Sequence, residues 1–378
     1  MEAHAADFAD FSPQAYLDCA CQGPLPRVAV ERIQRGIEVK SHPARLQGSE
    51  YFRLPERVRG RLARLTAAGE DEIALTTSAT QGIGIVAAGL NLGAGDEVVV
   101  ASSNFPANLF SWINLRRRGV TVKVVHPAGE ALSLDEVAAQ LSVRTRVLAL
   151  DWVNYTSGCR IDLTAFGSLI HERGGIFVVD GTQGVGANEL ALHALPVDVL
   201  ACAAYKWLLA PYGTGFAYVA RSLLPNLDLP VINWYSVEGA EEFDSLPSDG
   251  FRLLHDARVF DAGETGNFIN LHGFDASLEY LERVTVEAVN RHCRRLLERL
   301  AEGLRSLHLE LSEAWRPAHA STILSFRAST PEATARLHEK LMANNIVVSL
   351  RHGMIRVSPH LYNDEVDIAR LLAATGLA

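Results

Sequence analysis

The chain has 378 residues, 48% hydrophobic and 21% charged, with 44 acidic residues against 35 Lys and Arg and a net charge of −9 at pH 7. A chain this long buries a large core and divides into two lobes, and its composition is that of a globular enzyme, not a disordered chain. The acidic balance argues against nucleic acid or an anionic membrane surface as partner. Cys19, Cys21, Cys159, Cys202 and Cys293 form no CxxC pair, which fits a reducing cytosol. The amino end carries no basic segment ahead of an apolar run, and every stretch of transmembrane length holds a charge or a proline. The expected protein is soluble and cytoplasmic.

The first predicted strand of the main sheet is Ile73–Leu75. The turn Thr77-Ser78-Ala79-Thr80-Gln81-Gly82 follows it and opens a helix. Backbone N–H groups and the positive end of a helix dipole make such a turn an anion site. It lacks the GxGxxG and P-loop patterns, so a lone phosphate fits better than a dinucleotide or nucleoside triphosphate; taken alone, it is an ordinary N-cap. After the strand Glu97–Val100 comes Phe105-Pro106, an aromatic face suited to stacking on a ring or to plain packing. The amphipathic stretch Leu109–Arg118 ends in three arginines before Gly119, the pattern of a helix C-terminus rather than a phosphate patch.

Strands are predicted next at Thr121–Val125 and Val147–Leu150. The latter leads into DWVNYTSG, where Asn154 and Tyr155 offer hydrogen-bonding groups. A helix over Leu163–Arg173 separates it from Ile176–Val179, which ends on Asp180 with Gln183 close behind. Val199–Ala203 follows, and the apolar run closes on Tyr205 and Lys206. Gly215–Val219 comes too soon after it for a helix to intervene, so that strand should be antiparallel. The rhythm predicts an α/β fold, a mostly parallel seven-stranded sheet with helices on both faces.

Beyond a loop-rich stretch, Leu229–Gly266, one long helical region (Gly273 to Leu307) leads to strands at Thr322–Phe326, Ile346–Ser349 and Met354–Val357. These predict a smaller α+β C-terminal domain. The expected division is a large domain over 15–270 and a small one over 271–378, with 1–14 packing near the latter.

Asp180 and Lys206 each stand just past the carboxyl end of a buried strand, the edge where open α/β sheets bind ligands. A carboxylate facing a pyridinium nitrogen and a lysine forming a Schiff base are what pyridoxal 5'-phosphate (PLP) asks of a protein. Trp207-Leu208-Leu209 give Lys206 apolar neighbours, which favour the nucleophilic amine. A salt bridge between the two residues is the structural alternative.

With these residues in place, the chain resembles the class V aminotransferase family of fold-type I PLP enzymes, which includes cysteine desulfurases, isopenicillin N epimerase and kynureninase. The resemblance runs from Tyr16-Leu17-Asp18 to His360-Leu361-Tyr362-Asn363-Asp364, and its core is D-x-x-Q followed by Y-K-W-L-x-x-P-x-G. It implies that Lys206 forms the Schiff base, that Asp180 pairs with the pyridine nitrogen and that Gln183 bonds the ring hydroxyl. Phe105 would stack on the ring, Ala79 and Thr80 would hold the phosphate, and Tyr205 would reach it as well. Arg356 would bind the carboxylate of a small amino-acid substrate. Thr265 and Asn267 would reach the partner's phosphate in a homodimer with sites at the interface.

The departures bear on the reaction. Desulfurases carry a persulfide cysteine shortly before the carboxylate arginine, where this chain reads VVSLRHGMIRVS. They also stack a histidine where Phe105 stands. Glu264 replaces a glycine before the interface threonine. The expected activity is therefore a C–S or C–C β-lyase without a persulfide cysteine. An aminotransferase or an epimerase are the alternatives, and the epimerase would need an acid opposite Lys206, for which Tyr155 and His352 are the candidates.

Overall fold

The computed structural model of the protein describes residues 4–46, 48–263 and 267–376. A two-residue strand, β1 (Ala15–Tyr16), precedes helices α1 (Arg27–Ser41) and α2 (Glu50–Thr66). Then come β2 (Ile73–Thr76), α3 (Ala79–Gly89), β3 (Glu97–Ala101), α4 (Ala107–Ile113), β4 (Thr121–Val125) and α5 (Leu134–Ala138). They are followed by β5 (Thr145–Asp151), α6 (Leu163–His171), β6 (Ile176–Asp180), β7 (Val199–Ala203) and β8 (Gly215–Val219).

The seven strands β2 to β8 form one sheet in the order β2-β8-β7-β6-β5-β3-β4. Each lies where the apolar runs place it. β8 is antiparallel to both β2 and β7, and the remaining pairs are parallel. Every residue of β2, β3, β7 and β8 is buried, because helices cover both faces and leave no polar side to alternate with. Successive side chains feed two separate cores: Leu148 and Leu150 pack on one side with Phe177 and Leu200, while Val147 and Ala149 pack on the other with Ile83 and Ala201. A side chain at Gly82 would meet the Cβ of Ala201 at 2.9 Å, so α3 sits directly on the sheet. The arginine triplet ends a 3-10 turn at Gly119, whose φ is 82°, in line with its reading as a terminus.

The long helical region is two helices, α7 (Phe268–Val284) and α8 (Val286–Ser306). Thr285 separates them with φ 67° and ψ 142°, and its hydroxyl accepts the Ala288 N–H as the N-cap of α8. No glycine or proline announces this break. α7 packs on α1 and α2, whereas α8 turns Leu296, Leu297, Leu300 and Leu304 into a third core.

That core is closed by β9 (Glu310–Leu311), β10 (Leu324–Arg327), α9 (Pro331–Ala343), β11 (Ile346–Val347), β12 (Ser349–Arg351), β13 (Met354–Val357) and α10 (Glu365–Gly376). The second sheet runs β12-β13-β10-β9. The strand predicted over Ile346–Ser349 is split: β11 leaves this sheet and pairs in parallel with β1, Ala15 opposite Ile346. Among the described residues, no helix is long and apolar enough to cross a membrane.

His360 is fully buried between Trp207 and Tyr362, with ring centroids 5.8 and 6.0 Å away. Burial holds its pKa down to about 3, from an ordinary 6.5. The folded ring stays neutral while the unfolded one takes up a proton below its ordinary pKa. His360 therefore contributes stability that is complete above about pH 6.5 and is lost progressively as the pH falls toward 3, at up to about 1.4 kcal/mol per pH unit. Urea unfolding of His360→Gln should show a shallower acid decline than wild type between about pH 6 and 4. Equal declines would place the sensitivity elsewhere.

Candidate active site

The carboxyl ends of β6 and β7 deliver Asp180 and Lys206 to one cleft of about 460 Å³, also lined by Ala79, Thr80, Phe105, Tyr155, Gln183 and Tyr205. Lys206 is 6% exposed. Its Nζ lies 5.1 Å from the Phe105 ring centroid and 5.7 Å from that of Tyr205. Burial lowers its pKa, and Asp180 opposes that shift through space. Asp180 is 4% exposed, and its Oδ1 accepts the Thr182 N–H at 2.9 Å. Burial raises its pKa, with Thr182 and Lys206 pulling against it. Among the described residues no salt bridge joins the two, so the structural alternative falls away and both groups face the cleft.

The turn carrying Lys206 is held from behind by the amino-terminal segment. Gly23 N–H donates to the Tyr205 carbonyl at 2.9 Å, and Leu209 N–H closes the turn onto the Lys206 carbonyl at 3.1 Å. A Cβ on Gly23 would stand 1.9 Å from the Lys206 carbonyl oxygen. Gly23→Ala is therefore expected to destabilise the protein by about 1–3 kcal/mol and to displace the lysine. Denaturation together with a PLP-binding titration measures both effects; wild-type values in both would refute this contact.

The other predicted residues divide. Ser78 caps α3 by accepting the Gln81 N–H at 3.2 Å, and the N–H groups of Ala79 and Thr80 belong to the first turn, which has no acceptor within the helix. Gln183 is fixed at both ends: Nε2 donates to the Ala20 carbonyl at 2.9 Å and Oε1 accepts Trp207 Nε1 at 2.8 Å. One Nε2 hydrogen remains. Tyr155 lies edge-on to Phe105 at 5.2 Å, and its hydroxyl pairs with His352 Nε2 at 2.9 Å. His352 occupies the tip between β12 and β13 with φ 47°, followed by Gly353 at 77°. This tight turn aims the imidazole at the phenol.

Two of the predicted residues are held by partners within the protein. Asn154 does not line the cleft. Its Oδ1 accepts the Thr156 and Ser157 N–H groups at 2.9 and 2.8 Å and its Nδ2 donates to the Ser103 carbonyl at 2.8 Å, so the side chain staples its own turn and ties it to the segment before Phe105. Arg356 is 2% exposed, and Nη2 pairs with Asp18 Oδ1 at 3.0 Å while Nη1 donates to the Tyr155 carbonyl at 2.6 Å. The segment that follows β1 brings Asp18 against it. Nε stays buried without a partner, a donor left for an anion. Thr265 and Glu264 lie outside the described residues. Asn267 donates to the Tyr212 and Gly213 carbonyls at 3.3 and 3.4 Å and lines a different cavity with Thr77.

Asp151 is the residue that sequence reasoning missed. It ends β5 directly opposite Asp180 in the parallel register, is 9% exposed and lines the cleft. The signal was present, since β5 and β6 both close an apolar run on aspartate.

Lys206, Asp180, a helix N-terminus and an aromatic face around one cleft form a donor set that fits PLP. A family model for class-V aminotransferases matches residues 15–371. The chain belongs to the class-V aminotransferase family of PLP-dependent enzymes. It is similar to a probable cysteine desulfurase of Methanothermobacter thermautotrophicus, 26% identical over 94% of this chain and 92% of the relative. It is equally similar to an isopenicillin N epimerase of Amycolatopsis lactamdurans, 27% identical over 95% and 93%. In fold it matches a solved C-DES variant with glycine covalently linked to its PLP cofactor, at a TM-score of 0.89 and 23% identity over 100% of both chains.

Proposed function

We propose that this class-V enzyme uses PLP to expel a sulfur or carbon leaving group from Cβ of an L-amino acid, without a persulfide cysteine. The observation that carries the reading is the hairpin β12–β13. It brings no thiol to the cleft, and instead sets His352 against Tyr155 at 2.9 Å, a pair whose Tyr155 lines the cleft and can serve as general acid. Among the described cysteines only Cys21 is not buried, and it takes a weak contact from Arg351 at 3.7 Å.

When bound, PLP supplies a ring that accepts the electron pair left at Cα. The residues do the rest. Ala79 and Thr80 at the start of α3 bind the phosphate, and Asp180 holds the proton on the pyridine nitrogen. The Lys206 amine, its pKa lowered by burial, takes the Cα proton. Phe105 covers the ring and Gln183 orients its hydroxyl. Tyr155 and His352 hold a proton for the leaving atom. Arg356 offers Nε to the substrate carboxylate, and a homodimer with Thr265 and Asn267 at the interface completes the reading.

The isopenicillin N epimerase relative favours one alternative, in which the Tyr155–His352 pair returns a proton to Cα. Transamination is the other. One experiment separates the three. Purified protein with PLP is mixed with amino acids and cysteine conjugates in deuterated buffer, and products are read by mass spectrometry. Pyruvate or alanine with the cofactor regenerated supports the lyase. Accumulated pyridoxamine phosphate makes it a transaminase, and a D-isomer deuterated at Cα makes it an epimerase.

A further inference from the structure

Asp151 carries one more inference, which rests on the PLP reading above. Register partners on neighbouring strands point to the same face of a sheet, so Asp151 and Asp180 reach the cleft side by side. Their partners differ. Asp180 bonds Thr182, whereas Asp151 Oδ2 accepts the Phe105 N–H at 2.6 Å and Oδ1 accepts from Asn108 Nδ2 at 3.1 Å. Asn108 Oδ1 in turn accepts Trp112 Nε1 at 3.1 Å. Both Asp151 oxygens accept, the arrangement of an ionised carboxylate. Burial and the Asp180 charge push its pKa upward, and the bonds from Phe105 and Asn108 oppose them, as does Lys206.

We propose that Asp151 is a positioning residue of the cofactor site: its carboxylate ties the Phe105 loop to β5 and stands beside Asp180 in the cleft that holds Lys206. Phe105 is 36% exposed and sits ahead of α4, a helix of only seven residues. Its backbone needs an anchor if the ring is to present a fixed face. Among the described residues, the charged and titratable groups around Lys206 include Asp180 on β6, Asp151 on β5, Arg356 on β13, Cys21 in the amino-terminal segment, the adjacent Tyr205, and Tyr155 across the cleft. Asp151 is the one among them that also holds the ring-stacking loop.

The test reads the visible Schiff-base absorbance of PLP-loaded protein against pH, together with its visible circular dichroism. Asp151→Asn removes the charge and sets one amide N–H₂ against that of Asn108. It should lower the titration midpoint by about one unit, a tenfold change in proton affinity, and weaken the dichroic band as Phe105 loosens. The double variant Asp151→Asn, Asn108→Asp restores every hydrogen bond while moving the charge one link away. It should recover the dichroism and leave the midpoint low. An unchanged midpoint in Asp151→Asn, or a double variant that restores both signals, overturns the proposal. If the single variant does not fold, the double variant decides, and a wild-type midpoint there overturns it. Wild-type protein that gives no visible band with PLP would instead end the PLP reading itself.

Discussion

Lys206→Ala is expected to lose the visible Schiff-base absorbance with PLP and to lower turnover by at least about 100- to 10,000-fold, the range for a missing proton-transfer group. The fold should survive. Nζ is buried against the rings of Phe105 and Tyr205, and an amine in that setting is held there at a desolvation cost that alanine does not bear. Thermal denaturation of the cofactor-free variant should therefore stay close to wild type, and added small primary amines should recover part of the activity. A variant that kept both the band and turnover would show that the Schiff base forms elsewhere.

The largest stability effect is expected at Asp18. Its carboxylate faces Arg356 at 3.0 Å and accepts the Ser349 hydroxyl at 2.5 Å, and the guanidinium is 2% exposed. Asp18→Ala leaves that charge buried without its counterion, a loss of about 3–5 kcal/mol. Arg356→Met removes the charge itself and fills the space, so it should cost less. Urea denaturation gives both values, and the reverse order would mean that the pair is not the dominant interaction. Arg356→Ala adds the functional arm: a uniform fall in affinity for all amino-acid substrates supports the carboxylate role, while unchanged affinity leaves Arg356 as a brace between Asp18 and Tyr155.

The sheet and its two chemical groups were legible because they rest on strong local signals. Short β-branched runs bounded by turns mark strands wherever the chain lies, and a charge closing such a run marks the ligand-binding edge. Lys206 and Asp180 follow from that alone. Asp151 satisfies the same rule at the end of β5, whereas the Asn154 amide three residues later suggests a ring partner. The amide instead holds its own turn and the Ser103 carbonyl, a competition the sequence does not rank. β1, β9 and β11 have two residues each, too few to show a period. Arg356 reads as a free cation because its partner, Asp18, is 338 residues away. Thr285 breaks a helix through its own cap, with no proline or glycine to announce it.

The amino-terminal crossing has a kinetic consequence. Residues 15–23 pair with β11, meet Arg356 and Ser358, and brace the back of the Lys206 turn. Arg356 lies 338 residues beyond Asp18, so the central sheet can assemble while the lysine turn still lacks its support. Contacts of such long sequence separation form late and slowly. During refolding, native-like secondary structure should return before the capacity to bind PLP, with an interval between them during which the apolar edge of β11 is open to other chains.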